Sequence, residues 1–191
     1  MRITTMTNRF QILPRNTQDE IDAFGDMIAM HIDEGWVPFL LTLMFRHISG
    51  SEAHRFSVMM DETRRAYSIH AKRVGRHFRS DESRAKMPRW FILPDFPIFK
   101  YEKQSLKASS INDGQHVQGI YLLHDDNRLK RSPTYEFWDE RHRYIWPDRP
   151  LSIIDAKLID KTPRDAVDYI CKALKTGRAD RDQLLIFPDD R

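Results

Sequence analysis

The segment that most restricts the fold of this chain is a nearly continuous apolar run from Trp36 to Phe45. Its sequence, WVPFLLTLMF, is too short to cross a membrane as a helix, which takes about 20 apolar residues. Strands that are covered on both faces consist of such unbroken apolar runs. The run therefore predicts a strand in the interior of a sheet.

The composition is that of a folded protein without disulfide bonds. The chain is 40% hydrophobic and 31% charged, which is enough apolar material for one sizeable core, and residues 1–191 are expected to form a single domain. Cys171 is the only cysteine, so an intramolecular disulfide and a cysteine-rich zinc site are excluded. A reducing, cytoplasmic location is expected, with no secretory leader and no membrane partner.

The pattern of apolar runs and turn residues predicts an α+β fold. We expect the order helix, strand, helix, strand, strand, strand, helix, followed by an apolar tail. This order favours a central antiparallel β-sheet with flanking helices, covered mainly on one face. The predicted strands are Trp36–Phe45, Arg89–Glu102, His116–His124 and Leu151–Ile159, with a hairpin loop at 103–115, a short strand around Tyr135–Trp138 and a docked tail at Gln183–Phe187.

Two common nucleotide-binding folds are disfavoured by the glycines. None of the seven glycines falls in a GxGxxG or GxxxxGK[ST] pattern. Neither a dinucleotide-binding loop nor the phosphate-binding loop of an ATPase is therefore predicted.

Positive charge is concentrated in one predicted helix. The formal net charge is only +3, but residues 52–79 hold seven basic and three acidic residues. One interpretation is a solvated helix face whose bases complement the helix dipole near its C-terminus. The other is a surface that contacts the backbone of a nucleic acid.

A first candidate for chemistry is the sequence His116-Val117-Gln118-Gly119, at the start of a predicted strand. Residues two apart on a strand point to the same face, so the His116 imidazole and the Gln118 amide project side by side. One imidazole nitrogen and one amide oxygen, with an added carboxylate, suit Mg²⁺ or Mn²⁺ better than zinc. The alternative is a solvent-facing polar pair.

A second candidate is Tyr169-Ile170-Cys171-Lys172, in a helix that Thr162 and Pro163 are expected to begin. Helical spacing puts Tyr169 and Lys172 together on the side away from the apolar residues, with Cys171 as a packing residue. A phenol needs a nearby cation or base to act as a nucleophile, and Lys172 or a metal could supply it. The alternative is an amphipathic tyrosine beside a surface lysine.

Taken together and in this order, the motifs resemble the HUH-type endonucleases of rolling-circle replication initiators. In that family an apolar strand comes first, here FLLTLMF, then a His-hydrophobic-His or His-hydrophobic-Gln strand, then a Y-x-x-K helix. The His-hydrophobic-Gln version followed by glycine is similar to circovirus-type initiators. The segment DAVDYICKALKTG is similar to the tyrosine helix of bacterial plasmid and phage initiators.

The resemblance implies an HUH-type, RRM-like fold and a single-tyrosine nickase for single-stranded DNA. Tyr169 would attack a phosphodiester and leave a 5′-phosphotyrosine link and a free 3′-hydroxyl. His116 and Gln118 would be ligands of Mg²⁺ or Mn²⁺, and Lys172 would position the phosphate or the metal. The metal would polarise the scissile phosphate.

Gln118 departs from the two-histidine form of the motif, which weakens the metal site unless a carboxylate compensates. Glu102 is the first choice for that carboxylate, because a hairpin loop at 103–115 would bring it opposite His116. Asp95 and Asp113 are the alternatives, and Asp113 has more the character of a turn residue beside a glycine.

Bases and aromatic residues elsewhere are candidates for holding DNA. Trp138, Tyr144 and Trp146 alternate with arginines in the 125–150 segment and could stack on bases, or could form a lid that packs on the core. The predicted DNA-binding residues are Lys72, Arg73, Arg76, Arg79, Arg141, Arg143, Trp146 and Lys175.

The sequence therefore predicts a metal-dependent endonuclease that nicks and joins single-stranded DNA at an origin or element end. The chain has no phosphate-binding loop, so it is expected to recruit a host helicase, or to be a fragment or a transposase-like relative. The main alternative is a sequence-specific DNA-binding protein, such as a repressor, on the same scaffold without nuclease activity. A third is an α+β domain in which the motifs are coincidental and Tyr169 is buried far from His116.

Overall fold

The structure is a computed structural model that describes residues 17–75, 81–95, 111–160 and 162–188. The helices are α1 (Thr17–Asp33), α2 (Glu52–Val74), α3 (Asp81–Ala85), α4 (Pro133–Asp139), α5 (Arg141–Tyr144), α6 (Pro163–Ile170) and α7 (Lys172–Lys175). The strands are β1 (Val37–Phe45), β2 (Arg89–Asp95), β3 (His116–Leu123), β4 (Leu151–Leu158) and β5 (Leu185–Phe187). Short 3₁₀ turns, Ile111–Gly114 and Arg181–Gln183, precede β3 and β5.

The five strands form one sheet in the order β4-β1-β3-β2-β5, and every neighbouring pair is antiparallel. β1 lies between β4 and β3, which confirms the interior strand that the apolar run predicts. β3, which carries the His-hydrophobic-Gln motif, is the central strand. The predicted α+β class with a central antiparallel sheet and flanking helices is confirmed.

Both faces of the sheet are covered by helices, so the expectation of cover mainly on one face is wrong. Ile120 and Leu122 of β3 pack with residues of α1 and α6 on one face of the sheet, which we call the site face. Val117 and Tyr121 of the same strand pack with residues of α2, α4 and α5 on the other face, which we call the opposite face. The period of two along β3 therefore divides the core into two layers.

The 125–150 segment differs most from expectation. Instead of a short strand around Tyr135–Trp138, the chain forms α4 and α5 there. Pro133 at the first helical position favours a helix, and Pro133, Glu136 and Phe137 are buried with helical spacing. Aromatic residues are typical of strands, which is why composition alone pointed to the wrong element.

Smaller differences concern the ends of elements. β2 is described as far as Asp95, so the predicted extension to Glu102 lies outside the described residues. Beyond Ile92, β2 has no partner in β5, and Pro94 lies in this edge portion as its missing N–H predicts. The tail docks as β5.

Among the helices of the described ranges, none has the length and apolarity that crossing a membrane requires.

Candidate functional site

The pairing of β2 with β3 brings a carboxylate to the predicted metal-binding strand. Asp95, the last residue of β2, is the register partner of His116, the first residue of β3. Asp95 shares the site face with Phe91 and Leu93, because residues two apart on a strand point the same way. The distance from Asp95 Oδ2 to His116 Nε2 is 3.3 Å.

The turn before β3 is fixed by one buried asparagine. Asn112 has a φ of 53°, a left-handed conformation that asparagine tolerates better than most residues. Its side-chain amide donates to the carbonyls of Phe45 and Arg46 and accepts from the backbone N–H of Ile48. The turn is thus tied to the end of β1, which holds His116 at a defined place on the sheet.

The orientation of the His116 ring leaves one nitrogen available as a ligand. Nδ1 lies 3.1 Å from the carbonyl oxygen of Gly114, and because a carbonyl can only accept, Nδ1 carries the proton. Nε2 faces Oδ2 of Asp95, so a protonated ring would donate to the carboxylate and a neutral ring could share a cation with it. A backbone carbonyl that fixes the tautomer in this way is common at histidines that bind metals.

Two buried oxygens at this place have no hydrogen-bond partner among the described residues. They are Oδ1 of Asp95 and Oε1 of Gln118, and both side chains are buried. A buried acceptor without a partner loses its hydration without compensation, at a cost of about 1–3 kcal/mol for a neutral group and more for a charged one. These two oxygens and Nε2 of His116 are lone-pair donors that a bound cation or a hydrogen-bond donor could satisfy.

The tyrosine motif reaches the same site from the helical layer. Nζ of Lys172 is 2.7 Å from Oδ2 of Asp95 and 4.3 Å from the centroid of the Tyr169 ring. The ammonium group thus connects the carboxylate on the sheet with the aromatic ring on α6. Tyr169 is 48% exposed, so its phenol is open to a molecule from solvent.

The pKa of Lys172 reports the same contacts. Burial acts to lower it, but the hydrogen bond to Asp95, the charge of Asp95 and the interaction with Tyr169 together raise the pKa above its ordinary value. The lysine is therefore a fixed positive charge beside the phenol at neutral pH.

The predicted tyrosine helix is broken in two. α6 ends at Ile170, Cys171 has a φ of −81° and a ψ of 4°, and α7 begins at Lys172. Thr162 precedes the helix as expected, but its side chain makes no capping hydrogen bond. Cys171 is buried, and burial raises the pKa of its thiol to about 11, which supports the prediction that it is a packing residue.

The donor set suits a hard divalent cation. In the described ranges, no three His, Cys, Asp or Glu side chains gather closely enough to hold a metal ion by themselves. Asp95 and His116 do meet, and Gln118 adds an amide oxygen on the same face. Carboxylate oxygen, amide oxygen and imidazole nitrogen favour Mg²⁺ or Mn²⁺.

Among the described residues, the acidic residue next to His116 is Asp95, one of the two alternatives from the sequence. Glu102 lies outside the described residues, whereas Asp95 is in register with His116. Asp113 lies in the 3₁₀ turn before β3, as its turn character suggests.

The site face is open on the β1 and β4 side, a feature that the sequence analysis missed. Met44 and Ile153 are register partners on these strands and are 45% and 47% exposed. Thr42 is the register partner of Gln118, and Met44, two residues further along, faces the same way. The signal for this open part of the face was present in the sequence, as the apolar residues of β1 and β4 that point outward, Met44 and Ile153.

Most of the predicted DNA-binding residues lie away from this site. Lys72 and Arg73 are on α2, Arg141 and Arg143 on α5, and Trp146 follows α5, all on the opposite face. Lys175 is on α7 and forms an ion pair with Asp168. Arg76 and Arg79 lie outside the described residues.

The aromatic residues of the 125–150 segment differ in their exposure and in their contacts. Tyr144 is fully buried and cannot stack on a base, which agrees with the alternative of a lid that packs on the core. Trp138 is 69% exposed. Trp146 is partly exposed, and the Arg65 guanidinium lies 4.6 Å from its ring centroid. Arg73 makes a hydrogen-bonded ion pair with the buried Glu136.

Comparison with known proteins gives no relative. No family model, no curated protein and no solved structure matches this chain. Any functional inference therefore depends on the residues and their geometry.

Proposed function

We propose that this protein is a metal-dependent, single-tyrosine endonuclease of the HUH type that nicks and rejoins single-stranded DNA. The observation that carries the proposal is the convergence at Asp95. This carboxylate contacts His116 on the next strand and Lys172 from the helical layer, and Lys172 in turn contacts Tyr169. Two motifs that are about fifty residues apart in the chain are thus joined through one side chain.

The chemistry is a transesterification that needs no oxidant and no energy source. The Tyr169 oxygen forms a bond to phosphorus, the bond from phosphorus to the 3′-oxygen breaks, and the phenolic proton is transferred to that 3′-oxygen. The products are a 5′-phosphotyrosine and a free 3′-hydroxyl. One phosphodiester is exchanged for another, so the reverse reaction can rejoin the strand.

The residues of the candidate site would divide the work between lysine and the metal ligands. The Lys172 ammonium favours the phenoxide of Tyr169 and attracts the phosphate, because it lies beside both the ring and the carboxylate. Asp95, His116 and Gln118 would hold the divalent cation. When bound, that cation supplies Lewis-acid polarisation of the scissile phosphate.

The exposure of Tyr169 argues against coincidental motifs. That alternative predicts a buried tyrosine far from His116, but Tyr169 is nearly half exposed and is linked to His116 through Lys172 and Asp95. The open face beside Met44 and Ile153 leaves room for a strand to approach. Strand separation would still require a helicase that the chain recruits, and a cytoplasmic location remains a prediction.

A second candidate function, DNA binding without cleavage, is favoured by one observation. Lys172 already supplies a positive charge to Asp95, so the carboxylate is neutralised without a metal. A protein of this fold that binds no metal could therefore keep the ion pair between Lys172 and Asp95.

The test is formation of a covalent adduct. The protein is incubated with labelled single-stranded oligonucleotides and Mn²⁺, and the products are separated on a denaturing gel. We expect a protein-linked label with the native chain and none with Tyr169→Phe, because the phenylalanine has no nucleophilic oxygen.

Tyr135→Phe is the matched control, since Tyr135 is also exposed, at 59%, but lies on the opposite face. At saturating oligonucleotide it should form the adduct at the native yield, because phenylalanine keeps the aromatic ring at position 135. Equal adduct yields from the Tyr169→Phe variant and the native chain would contradict the mechanism. Binding of the oligonucleotide without any adduct would favour the second candidate.

A further inference from the structure

A large basic cavity lies on the opposite face of the sheet. Its volume is about 790 Å³, and it is formed by the end of α2, the segment 128–131, α4 and α5. Lys172 and Tyr169 do not line it, and the sheet lies between the cavity and the Asp95 site. It is therefore a separate place on the molecule.

More basic than acidic side chains line this basic cavity. Three carboxylates line it, and arginines engage all of them: Arg73 pairs with Glu136 and Glu140, Arg131 with Asp139, and Arg143 with Glu140. In the part of the chain that the structure describes, the remaining bases have no acidic partner. They are Lys72, Arg128 and Lys130.

The helix dipole does not account for this surplus. Lys72 lies in the last turn of α2, where a base is favourable for that reason. Arg128 and Lys130 belong to a segment without helix or strand and gain nothing from a dipole. Like charges that converge on one cavity raise its potential and concentrate anions there.

Two exposed aromatic side chains lie on α4, and one of them lines the same cavity. Tyr135 lines it and is 59% exposed, and Trp138 on the same helix is 69% exposed. The Arg141 guanidinium lies 5.4 Å from the centroid of the Trp138 ring. Unpaired bases with exposed rings nearby are the combination that holds single-stranded nucleic acids, through the phosphates and through base stacking.

We propose that the basic cavity binds a segment of single-stranded DNA distinct from the segment at Tyr169. The two sites are on opposite faces of the sheet, so one nucleotide cannot occupy both. The cavity would hold the strand while the Asp95 site acts on another part of it. This inference does not depend on cleavage, since it needs neither the metal ligands nor the tyrosine.

The experiment measures binding of a fluorescein-labelled single strand of about 30 nucleotides by anisotropy, between about 50 and 300 mM salt. The triple variant Lys72→Gln, Arg128→Gln, Lys130→Gln removes the three unpaired charges. We expect roughly tenfold weaker binding or more, and a salt dependence whose slope falls by about 2, because each contacted phosphate of a single strand contributes about 0.7.

The matched control removes the same net charge elsewhere. Arg64, Arg164 and Arg181 have exposed side chains that form ion pairs away from the cavity, and all three are changed to Gln. This triple variant should bind nearly as the native chain does. Equal losses in both triple variants, or no loss in either, would overturn the proposal.

Two competitors test the identity of the ligand. Unlabelled dAMP should compete far more weakly than the unlabelled strand, and a duplex of the same sequence should also compete more weakly. Equal competition by the mononucleotide, or better competition by the duplex, would overturn the assignment to single-stranded DNA.

The adduct assay separates this proposal from the proposed function. At saturating strand, the cavity triple variant should still form the Tyr169 adduct. If the native chain forms no adduct while the cavity triple variant loses binding, the endonuclease proposal fails and the cavity assignment stands.

Discussion

Asp95 is the residue on which the candidate site depends, and its partners compete for it. Oδ2 faces both the Lys172 ammonium and the His116 ring, while Oδ1 is buried without a partner among the described residues. A divalent cation held by Asp95 would share the carboxylate with the lysine. Lys172 therefore has two opposing effects, since it assists the phenol and weakens the metal site.

Lys172→Gln should bind Mn²⁺ more tightly than the native chain, because the substitution removes the competing positive charge. We expect a gain of roughly threefold to tenfold, which corresponds to about 0.7–1.4 kcal/mol. Electron paramagnetic resonance of free Mn²⁺ measures the affinity without any need for cleavage. Lys175→Gln, which breaks only the exposed pair with Asp168, should leave the affinity unchanged. Weaker Mn²⁺ binding by Lys172→Gln would mean that the lysine supports the metal site.

All five residues of the candidate site are candidates from the sequence, four as first choices and Asp95 as an alternative. His116, Gln118, Tyr169 and Lys172 are visible because each pair has a fixed local spacing. Asp95 is not close to them in the chain, and the choice between it and Glu102 depends on strand register. Register follows from the turn and from the packing of both faces, which the loop sequence alone does not specify.

Among the elements, β3 carries most of the architecture. It is the central strand, it begins with His116 and Gln118, and it contributes to both core layers. Gly119 follows Gln118 in β3. A Cβ atom added to Gly119 would lie 2.2 Å from the Phe91 carbonyl oxygen. The close approach of β2 to β3, which brings Asp95 to His116, therefore requires glycine at this position.

Gly119→Ala should destabilise the fold by about 1–3 kcal/mol, since the added methyl group must push β2 away from β3. The free energy of unfolding from urea titration measures the effect. Gly25→Ala in α1 is the control, because no atom of the described residues, outside its chain neighbours and its own helix backbone, lies within 4 Å of its Cβ position. That control should be neutral or slightly stabilising. A Gly119→Ala variant as stable as the control would contradict the packing described for β2 and β3.

A helix or strand could be predicted where one sequence signal dominated, and could not be predicted where two signals favoured different structures. The apolar run of β1 and Pro163 at the start of α6 each indicated one answer. In α4 the aromatic residues favoured a strand, whereas Pro133 and the burial of Glu136 and Phe137 follow a helix. Pro133 was a local signal for the helix, and the packing of Phe137 in the core, which local propensity does not contain, agrees with it.

At the scale of the whole molecule, a polar network is buried in the opposite-face core. His70 is fully buried, with ring nitrogens 3.0 Å from the Tyr144 hydroxyl and 2.8 Å from the Tyr121 hydroxyl. The Tyr144 hydroxyl donates to Glu136, which is paired with Arg73. The network connects α2, β3, α4 and α5.

The stability of the protein should fall with acid because of His70. Burial, with a smaller effect of the nearby Arg73 charge, lowers the pKa of His70 to about 3. Below the ordinary pKa of about 6.5 the unfolded chain binds a proton there and the folded chain does not. Between pH 6.5 and pH 5 this should cost about 2 kcal/mol of unfolding free energy.

Urea unfolding at several pH values, compared with a His70→Gln variant, isolates this contribution. The variant should be less stable at neutral pH and show a shallower decline between pH 6.5 and pH 5. His142→Gln, which changes an exposed histidine, should keep the native decline. An unchanged pH dependence in His70→Gln would show that other groups cause the acid sensitivity.

The central claim is that Tyr169 is the nucleophile of a DNA-nicking site, and mass spectrometry of the adduct tests it most directly. Trypsin cuts after Arg164 and Lys172, and the peptide between them contains Tyr169 as its only tyrosine. After reaction with a single-stranded oligonucleotide and Mn²⁺, followed by nuclease digestion, that peptide should carry the mass of a 5′-linked nucleotide remnant. A remnant on the peptide of Tyr135, or an unmodified Tyr169 peptide in a reaction that releases a cut strand, would contradict the account.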